Sequence, residues 1–266
     1  MKPNQSLLLR AAFCLLIASS FTSTLFAQVT RGAYLQMGNQ TSITIRWTTS
    51  AASNSRVRIS APGGAYLIGG AYPTAFNDAT STTNHIVTVT GLVPDTKYFY
   101  SIGTSTTVQQ ESANNFFTTA PPANTTRKIR IAAFGDCGRE SGNATNQTNS
   151  YNGYQAFLNS FSIDAADAWL LLGDNAYNVG NTTEYTNAFF TPYGGNTRQI
   201  LRNHKLYPSP GNHDYNNAGI GGTTDRRSRA WHYFSCFTTP QNAECGGVAS
   251  TKPNYYSFDI GNIHFL

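Results

Sequence analysis

Three apolar segments in the second half of the chain each end in glycine followed by a residue with a side-chain oxygen. IRIAAFGD ends at Asp136, AWLLLGD ends at Asp174, and LYPSPGN ends at Asn212. Between the first two, YNGYQAFLNSFSI carries apolar residues at helical spacing, which predicts an amphipathic helix. Strands that alternate with helices are typical of a layered α/β fold with parallel strand pairing. The sequence therefore predicts this fold class for the second half of the chain.

The residues at the ends of these segments favour a metal site over three unrelated turns. The carboxyl ends of parallel strands form a common crevice, where open α/β sheets bind their ligands. Two carboxylates and a carboxamide in one crevice would repel each other or stay unsatisfied, and hard metal cations relieve both problems. Each motif alone is compatible with a polar turn. A turn would not require Tyr177, which follows Asp174 by three residues in GDNAY.

Residues 28–120 have the pattern of an all-β domain. In TSITIRWTT, apolar Ile43, Ile45 and Trp47 alternate with polar neighbours, which is the period of a half-buried strand. RVRIS, HIVTVTGL and KYFYSIG are predicted as further strands, separated by turns, and this rhythm favours a β-sandwich. The prolines and polar residues of Pro121–Lys128 predict a linker, with the α/β domain over 127–266.

The first 27 residues predict a secretion signal. Lys2 and Arg10 supply positive charge, Ala11–Ala18 is a short apolar core, and Ala27 offers a small residue for cleavage. We therefore expect the protein to be secreted or periplasmic. We also expect no stable membrane insertion after signal removal and, without a basic stripe interleaved with aromatics, no nucleic-acid partner. The oligomeric state stays open.

The cysteines leave one pairing open. Cys236 and Cys245 flank a polar loop and could form a disulfide in an oxidising compartment, although spacing alone does not show that their Cα atoms approach each other. Cys137 adjoins the first glycine–aspartate motif, and we expect it to pack in the interior without taking part in chemistry.

The order GDCG, GDNAY, GNHD resembles that of the calcineurin-like metallophosphoesterases. Tyr177 and the preceding β region, with GAYLQMGNQTSITIRW near its start, narrow the resemblance to the purple acid phosphatase family. The segment GLVPDTKYFYSI is similar to fibronectin type III domains, in which a tyrosine ties down a corner. The resemblance implies a fibronectin III-like β-sandwich followed by a metallophosphoesterase αββα sandwich that is incomplete at its C-terminus.

The same resemblance implies a role for five residues. Asp136 binds the first metal, Asp174 bridges both metals, Tyr177 binds the first metal as a phenolate, and Asn212 binds the second. His213 lies beside the substrate, outside the metal shell. The implied cofactor is a dinuclear centre of Fe(III) with Fe(II), Zn(II) or Mn(II). The implied reaction is hydrolysis of a small phosphate monoester by metal-bound hydroxide.

One part of the family pattern does not occur. The family supplies three further histidine ligands from two later motifs, one of them Gly-His-x-His, and this motif is absent from the 266 residues. We therefore expect the chain to be an N-terminal fragment that is nearly inactive by itself. His264 stands in a segment where the family's histidine is an ordinary residue, and we do not assign it as a ligand.

Two alternative functions stay open at this point. The first is a phosphodiesterase or nucleotidase of the same superfamily with an ordinary dimetal site, which Tyr177 argues against. The second is an exported adhesion or carbohydrate-binding module whose α/β part is inactive, which the intact motif oxygens argue against.

Overall fold

The computed structural model describes residues 27–138, 145–195, 198–215 and 230–266. The predicted signal lies outside this range apart from Ala27. The strands are β1 Val29–Gln36, β2 Ile43–Ile59, β3 Thr74–Val89, β4 Lys97–Gly103, β5 Val108–Gln110, β6 Phe116–Thr118, β7 Ile131–Phe134, β8 Ala168–Leu172, β9 Lys205–Ser209, β10 Phe258–Ile260 and β11 Ile263–Phe265. The helical elements are α1 Thr145–Ser160, α2 Thr182–Glu184, a π-helix Tyr185–Phe190, α3 Thr191–Gly194, a 3₁₀ turn Ile200–Arg202 and α4 Trp231–Cys236.

The first six strands build the β domain around the predicted alternating residues. Ile43, Ile45 and Trp47 are almost completely buried in its core, as their spacing predicts. The predicted tyrosine corner is present, because the Val93 N–H donates to the Tyr98 hydroxyl over 2.9 Å. The fold class is confirmed: a β-rich domain precedes a mixed α/β domain.

One strand differs from the prediction. TSITIRWTT and RVRIS do not form two strands but belong to the single long strand β2, which pairs with β3 on both sides of an irregularity. The pairing register shifts between Thr48 and Ser55, so the polar residues there form a bulged stretch and not a turn. The chain therefore reverses only after Ile59.

The α/β domain is centred on three parallel strands. β7 pairs with β8, and β8 pairs with β9, both in parallel, which confirms the predicted pairing of consecutive strands. The helix α1 packs on this sheet through Tyr154 and Leu158, which lie in one buried cluster with Trp169 of β8. All three parallel strands consequently end at the same edge of the sheet.

The β domain joins this sheet directly. The end of β1 pairs in parallel with the start of β9, Leu35 opposite Lys205. Beside this junction, Arg127 forms two hydrogen bonds of 2.7 and 3.0 Å with Asp167 and one of 2.9 Å with Asp95. Arg127 thus forms a bidentate ion pair with Asp167 inside the α/β domain and contacts the β domain through a single hydrogen bond to Asp95.

The disulfide considered for Cys236 and Cys245 does not form. Both thiols are free and buried. Cys236 accepts a hydrogen bond of 3.2 Å from Arg31, whereas Cys245 packs in a separate cluster around Tyr207 and Phe258. The two sulfurs belong to different parts of the interior, which a spacing of nine residues along the chain could not reveal.

Within the described residues, no helix is both long and apolar enough to cross a membrane.

Candidate metal centre

The candidate site lies where β7, β8 and β9 end. Asp136 and Asp174 each follow their strand after a single glycine, and the Asp136 N–H donates to the Gly173 carbonyl over 3.1 Å, which holds the first two loops together. Both aspartates have positive φ angles, 53° and 52°. Non-glycine residues rarely adopt this conformation, and it concentrates at functional sites.

The glycine before Asn212 is required by a close approach. A Cβ atom on Gly211 would lie 2.2 Å from Asp174 Oδ1 and 2.4 Å from the Asp174 backbone nitrogen. Any larger residue would push the second and third loops apart. The glycine of GNHD therefore allows the two ligand-bearing loops to pack against each other.

Tyr177 contacts both predicted carboxylate ligands. Its hydroxyl donates to Asp136 Oδ1 and lies 3.0 Å from Asp174 Oδ2. Burial raises the pKa of Tyr177, and the hydrogen bonds to the two carboxylates raise it further. The phenol therefore keeps its proton beside the two aspartates alone. Only a nearby cation would favour the phenolate.

His213 completes the contacts around Asp174. Its backbone N–H donates to Asp174 Oδ1 over 2.9 Å, and its ring packs on the ring of Tyr177 with centroids 4.0 Å apart. Nδ1 lies 2.6 Å from the Asn178 carbonyl oxygen, which can only accept, so Nδ1 carries a proton. In the neutral ring, Nε2 is then the nitrogen that can accept a proton.

Four of the five predicted site residues are linked by these contacts. Asp136, Asp174, Tyr177 and His213 form one chain of hydrogen bonds and ring contact. The fifth, Asn212, is exposed and lies in the same loop, directly before His213. Its carbonyl accepts from the Tyr215 N–H over 3.2 Å, so the loop turns back immediately after the site.

Sequence reasoning missed Asp214, which lies beneath the site and is completely buried. Its carboxylate accepts from the Gly211 N–H over 2.8 Å, from the Asn175 N–H over 3.1 Å, from the Asn175 side chain over 3.1 Å and from the Tyr185 hydroxyl. Burial raises the pKa of Asp214, and these hydrogen bonds oppose the rise. Asp214 therefore ties the second ligand loop to the third. The sequence shows Asp214 as the last residue of GNHD, but it does not show which groups donate hydrogen bonds to its carboxylate.

Glu184 is a second residue that the sequence reasoning missed. Its carboxylate accepts from the N–H groups of Asn178, Val179 and Asn181 over 2.6, 2.9 and 3.1 Å. Asn181 accepts in return from the Glu184 N–H over 3.0 Å, which completes a capping box. The loop that follows Tyr177 is thus shaped by one buried carboxylate. The signal was the spacing N-x-x-E in NTTE.

Cys137 lies next to Asp136 but packs away from it. Its side chain is buried, and burial raises the pKa of the thiol to about 12. The neutral thiol is a poor metal ligand and nucleophile.

The donor set fits a hard metal ion. Two carboxylates and a phenol meet within hydrogen-bonding distance, and the carboxamide of Asn212 stands in the adjoining loop. Oxygen donors of this kind suit hard di- and trivalent cations. Within the described residues, no group of three or more His, Cys, Asp or Glu side chains clusters closely enough to hold a metal. The fit therefore depends on Tyr177 as much as on the aspartates.

The two domains each match a family profile. Residues 31–119 match the N-terminal domain of purple acid phosphatases, and residues 129–264 match the calcineurin-like phosphoesterases. The chain belongs to the purple acid phosphatase family. Membership of this family implies a dinuclear metal centre. No curated protein matches the sequence.

Two solved structures share the fold. The first is the purple acid phosphatase PPD1 from yellow lupin (Lupinus luteus) seeds, with a TM-score of 0.57 and 19% identity over 87% of this chain and 43% of that chain. The second is PhoD, with a TM-score of 0.58 and 12% identity over 87% of this chain and 50% of that chain. The chain thus spans half or less of the length of these relatives.

Proposed function

We propose that this chain carries the oxygen-donor part of a dinuclear site that hydrolyses small phosphate monoesters, with Fe(III) as one metal and Fe(II), Zn(II) or Mn(II) as the other. Asp136 and Tyr177 would hold the first metal, Asp174 would bridge, and Asn212 would hold the second. One observation carries the proposal: the Tyr177 hydroxyl contacts both carboxylates. A hard phenolate oxygen beside two carboxylates favours Fe(III).

The residues of the chain have separate tasks in this reaction. Two bound metals supply Lewis acidity, which polarises the ester and lowers the pKa of water. Backbone hydrogen bonds between the loops hold Asp136 and Asp174 in place. Preorganisation of this kind reduces the cost of assembling a charged site.

His213 would act on the leaving group or on the transferring phosphoryl group. Because Nδ1 is hydrogen-bonded to the Asn178 carbonyl, Nε2 is the nitrogen that is left for proton transfer. A protonated Nε2 can donate to the ester oxygen as the bond to phosphorus breaks, or to a phosphoryl oxygen. Ring packing on Tyr177 limits the orientations that His213 adopts.

We further propose that the protein acts outside the cytoplasm. The charged and apolar pattern of residues 1–27 supports export to the periplasm or the medium. N-terminal sequencing of the protein recovered from the culture medium or periplasm tests this, since cleavage near Ala27 is expected.

The decisive experiment measures iron coordination by Tyr177. When the 266-residue chain is titrated with Fe(III), we expect a visible charge-transfer band from an iron–phenolate bond that saturates at one equivalent. Tyr177→Phe removes the hydroxyl but keeps the ring that packs on His213, so the band should disappear while the fold persists. Absorption spectroscopy with circular dichroism as the fold check measures both.

The matched control is Tyr255→Phe, which removes another phenol from an exposed side chain. This variant should keep the band unchanged. An equal band in wild type and Tyr177→Phe would contradict the assignment of Tyr177. A colourless protein that binds Mn(II) at the same aspartates would instead favour the diesterase or nucleotidase alternative.

The isolated chain should hydrolyse p-nitrophenyl phosphate hardly faster than a metal-only blank. The four assigned donors are all oxygens, and an all-oxygen site without imidazole ligands holds divalent metals of this class weakly. The assay compares the chain with Asp174→Asn at equal Fe(III) and Zn(II) concentrations. Robust turnover by the wild-type chain that Asp174→Asn abolishes would show that these donors suffice, and would refute the expected need for histidines.

A further inference from the structure

Two arginines project from the outer face of the β domain, far along the chain from the candidate metal centre. Arg56 and Arg58 are two residues apart on β2, so both side chains leave the same face of the strand. Val57 and Ile59, which alternate with them, are buried in the core of the β domain. Both arginines are only partly buried.

Each arginine is anchored to a different segment of backbone. Arg56 Nε donates to the Thr104 carbonyl over 2.9 Å, and Arg58 Nη1 donates to the Tyr72 carbonyl over 2.9 Å. The first carbonyl belongs to the turn after β4, and the second to the segment between β2 and β3. That segment is tied down again by Ser101, whose hydroxyl donates to the Gly70 carbonyl over 2.6 Å. The arginines are therefore held in fixed positions.

Between these two segments lies a cleft of about 190 Å³ with the arginines in its lining. We call it the arginine cleft. Its other polar lining residues are neutral and are Ser101, Thr104, Thr106 and Thr107. Among the residues that the structure describes, no aspartate or glutamate lines it. The charged groups in its described lining are therefore the two guanidinium groups.

The ion pairs of the described residues agree with an unbalanced positive charge in the arginine cleft. Throughout the described ranges, the arginine and lysine ion pairs involve Arg127 and Lys97, and neither cleft arginine takes part in one. The pKa of Arg56 is lowered, first by burial and then by the positive charge of Arg58. Two guanidinium groups that repel each other, with further N–H groups beyond the one each gives to the backbone, favour an anion between them.

We propose that the arginine cleft binds a tetrahedral oxyanion, either phosphate or sulfate, as the free ion or as an ester group of a larger molecule. Guanidinium groups present paired N–H donors that match such oxyanions. The hydroxyls of Thr104, Thr106 and Thr107 add neutral donors at the same cleft. The site shares no residue with the candidate metal centre, so it stands or falls independently of the proposed phosphatase function.

The test is calorimetric titration of the metal-free 266-residue chain with inorganic phosphate, in the presence of a chelator and at ionic strength held constant with chloride. We expect saturable binding that is at least about tenfold weaker in R56Q/R58Q, because each charged hydrogen bond lost is worth more than a tenfold change in affinity. R130Q is the matched control, since Arg130 packs over Phe161 and lines a different cleft. It should bind phosphate as the wild type does.

Additional variants and ligands complete the test. If the double variant does not fold, R56Q and R58Q are tested singly, and each should weaken binding. R56K/R58K keeps the charge but loses the paired donors and should bind with intermediate affinity. Glucose 6-phosphate and sulfate distinguish the source: tighter binding of the sugar phosphate than of free phosphate indicates an ester group. Equal phosphate affinity in wild type and R56Q/R58Q, or an equal loss in R130Q, would overturn the proposal.

Discussion

Replacing Asp214 by alanine is expected to lower the free energy of unfolding by at least about 3 kcal/mol, since each buried donor left without an acceptor costs about 1–3 kcal/mol. The donors affected are the N–H groups of Gly211 and Asn175, the Asn175 side chain and the Tyr185 hydroxyl. Asp214 is completely buried, so water does not readily replace its carboxylate. Urea denaturation followed by fluorescence measures the loss.

The control for this prediction is Asp164→Ala. Asp164 also accepts one strong contact, 2.6 Å from Lys97, but its side chain is 70% exposed. Exposed ion pairs contribute about 0–1 kcal/mol, so this variant should stay within about 1 kcal/mol of wild type. Asp214→Asn keeps one acceptor oxygen and should fall between the two. Equal losses for Asp214→Ala and Asp164→Ala would show that Asp214 does not hold the loops.

Replacing Asp214 is also expected to change metal binding at the candidate metal centre. Asn175 directly follows Asp174, and Gly211 directly precedes Asn212, so Asp214 sets the separation of two assigned ligands. In Asp214→Asn, the iron–phenolate band should need a higher Fe(III) concentration to saturate, although Asp214 is not itself an assigned ligand. Unchanged saturation in a folded Asp214→Asn variant would limit its role to stability.

The elements that were predicted correctly from the sequence are those that depend on residues close to each other in the chain. The alternation of Ile43, Ile45 and Trp47 reports a strand with one buried face. The apolar runs before Asp136 and Asp174 report strands, and parallel pairing follows from the helix between them, although Leu172 at the end of β8 is 59% exposed. In each of these cases, the residues that determine the structure are neighbours in the chain.

The features that sequence reasoning missed depend on partners far apart in the chain. The pairing of Leu35 with Lys205 joins strands from two domains. The hydrogen bond from Asn175 to Asp214 links two loops that are 39 residues apart. Neither residue type is unusual for a turn, so no local pattern distinguishes Asp214 from any other loop aspartate. Such contacts become visible only when the fold brings the loops together.

Burial also lowers the pKa of a side chain in the interior, that of His204. It is fully buried beside α1, and its Nδ1 lies 2.8 Å from the Ile200 carbonyl oxygen. A carbonyl can only accept, so Nδ1 carries the proton and Nε2 accepts from the Tyr154 hydroxyl. The neutral ring is thus fully satisfied. Burial lowers the pKa of His204 from 6.5 to about 4, and the positive charge of Lys205 adds to this effect.

Acidification should therefore destabilise the protein through His204. Since the folded state holds the proton less tightly than the unfolded state, the stabilisation is complete above pH 6.5 and is lost as the pH falls towards 4. Between pH 7 and pH 5, the free energy of unfolding should fall by about 2 kcal/mol from this residue. His204→Gln lowers stability at every pH but should remove this part of the slope in urea denaturation. Equal slopes in the two proteins would mean that another group, such as His85, causes the acid sensitivity.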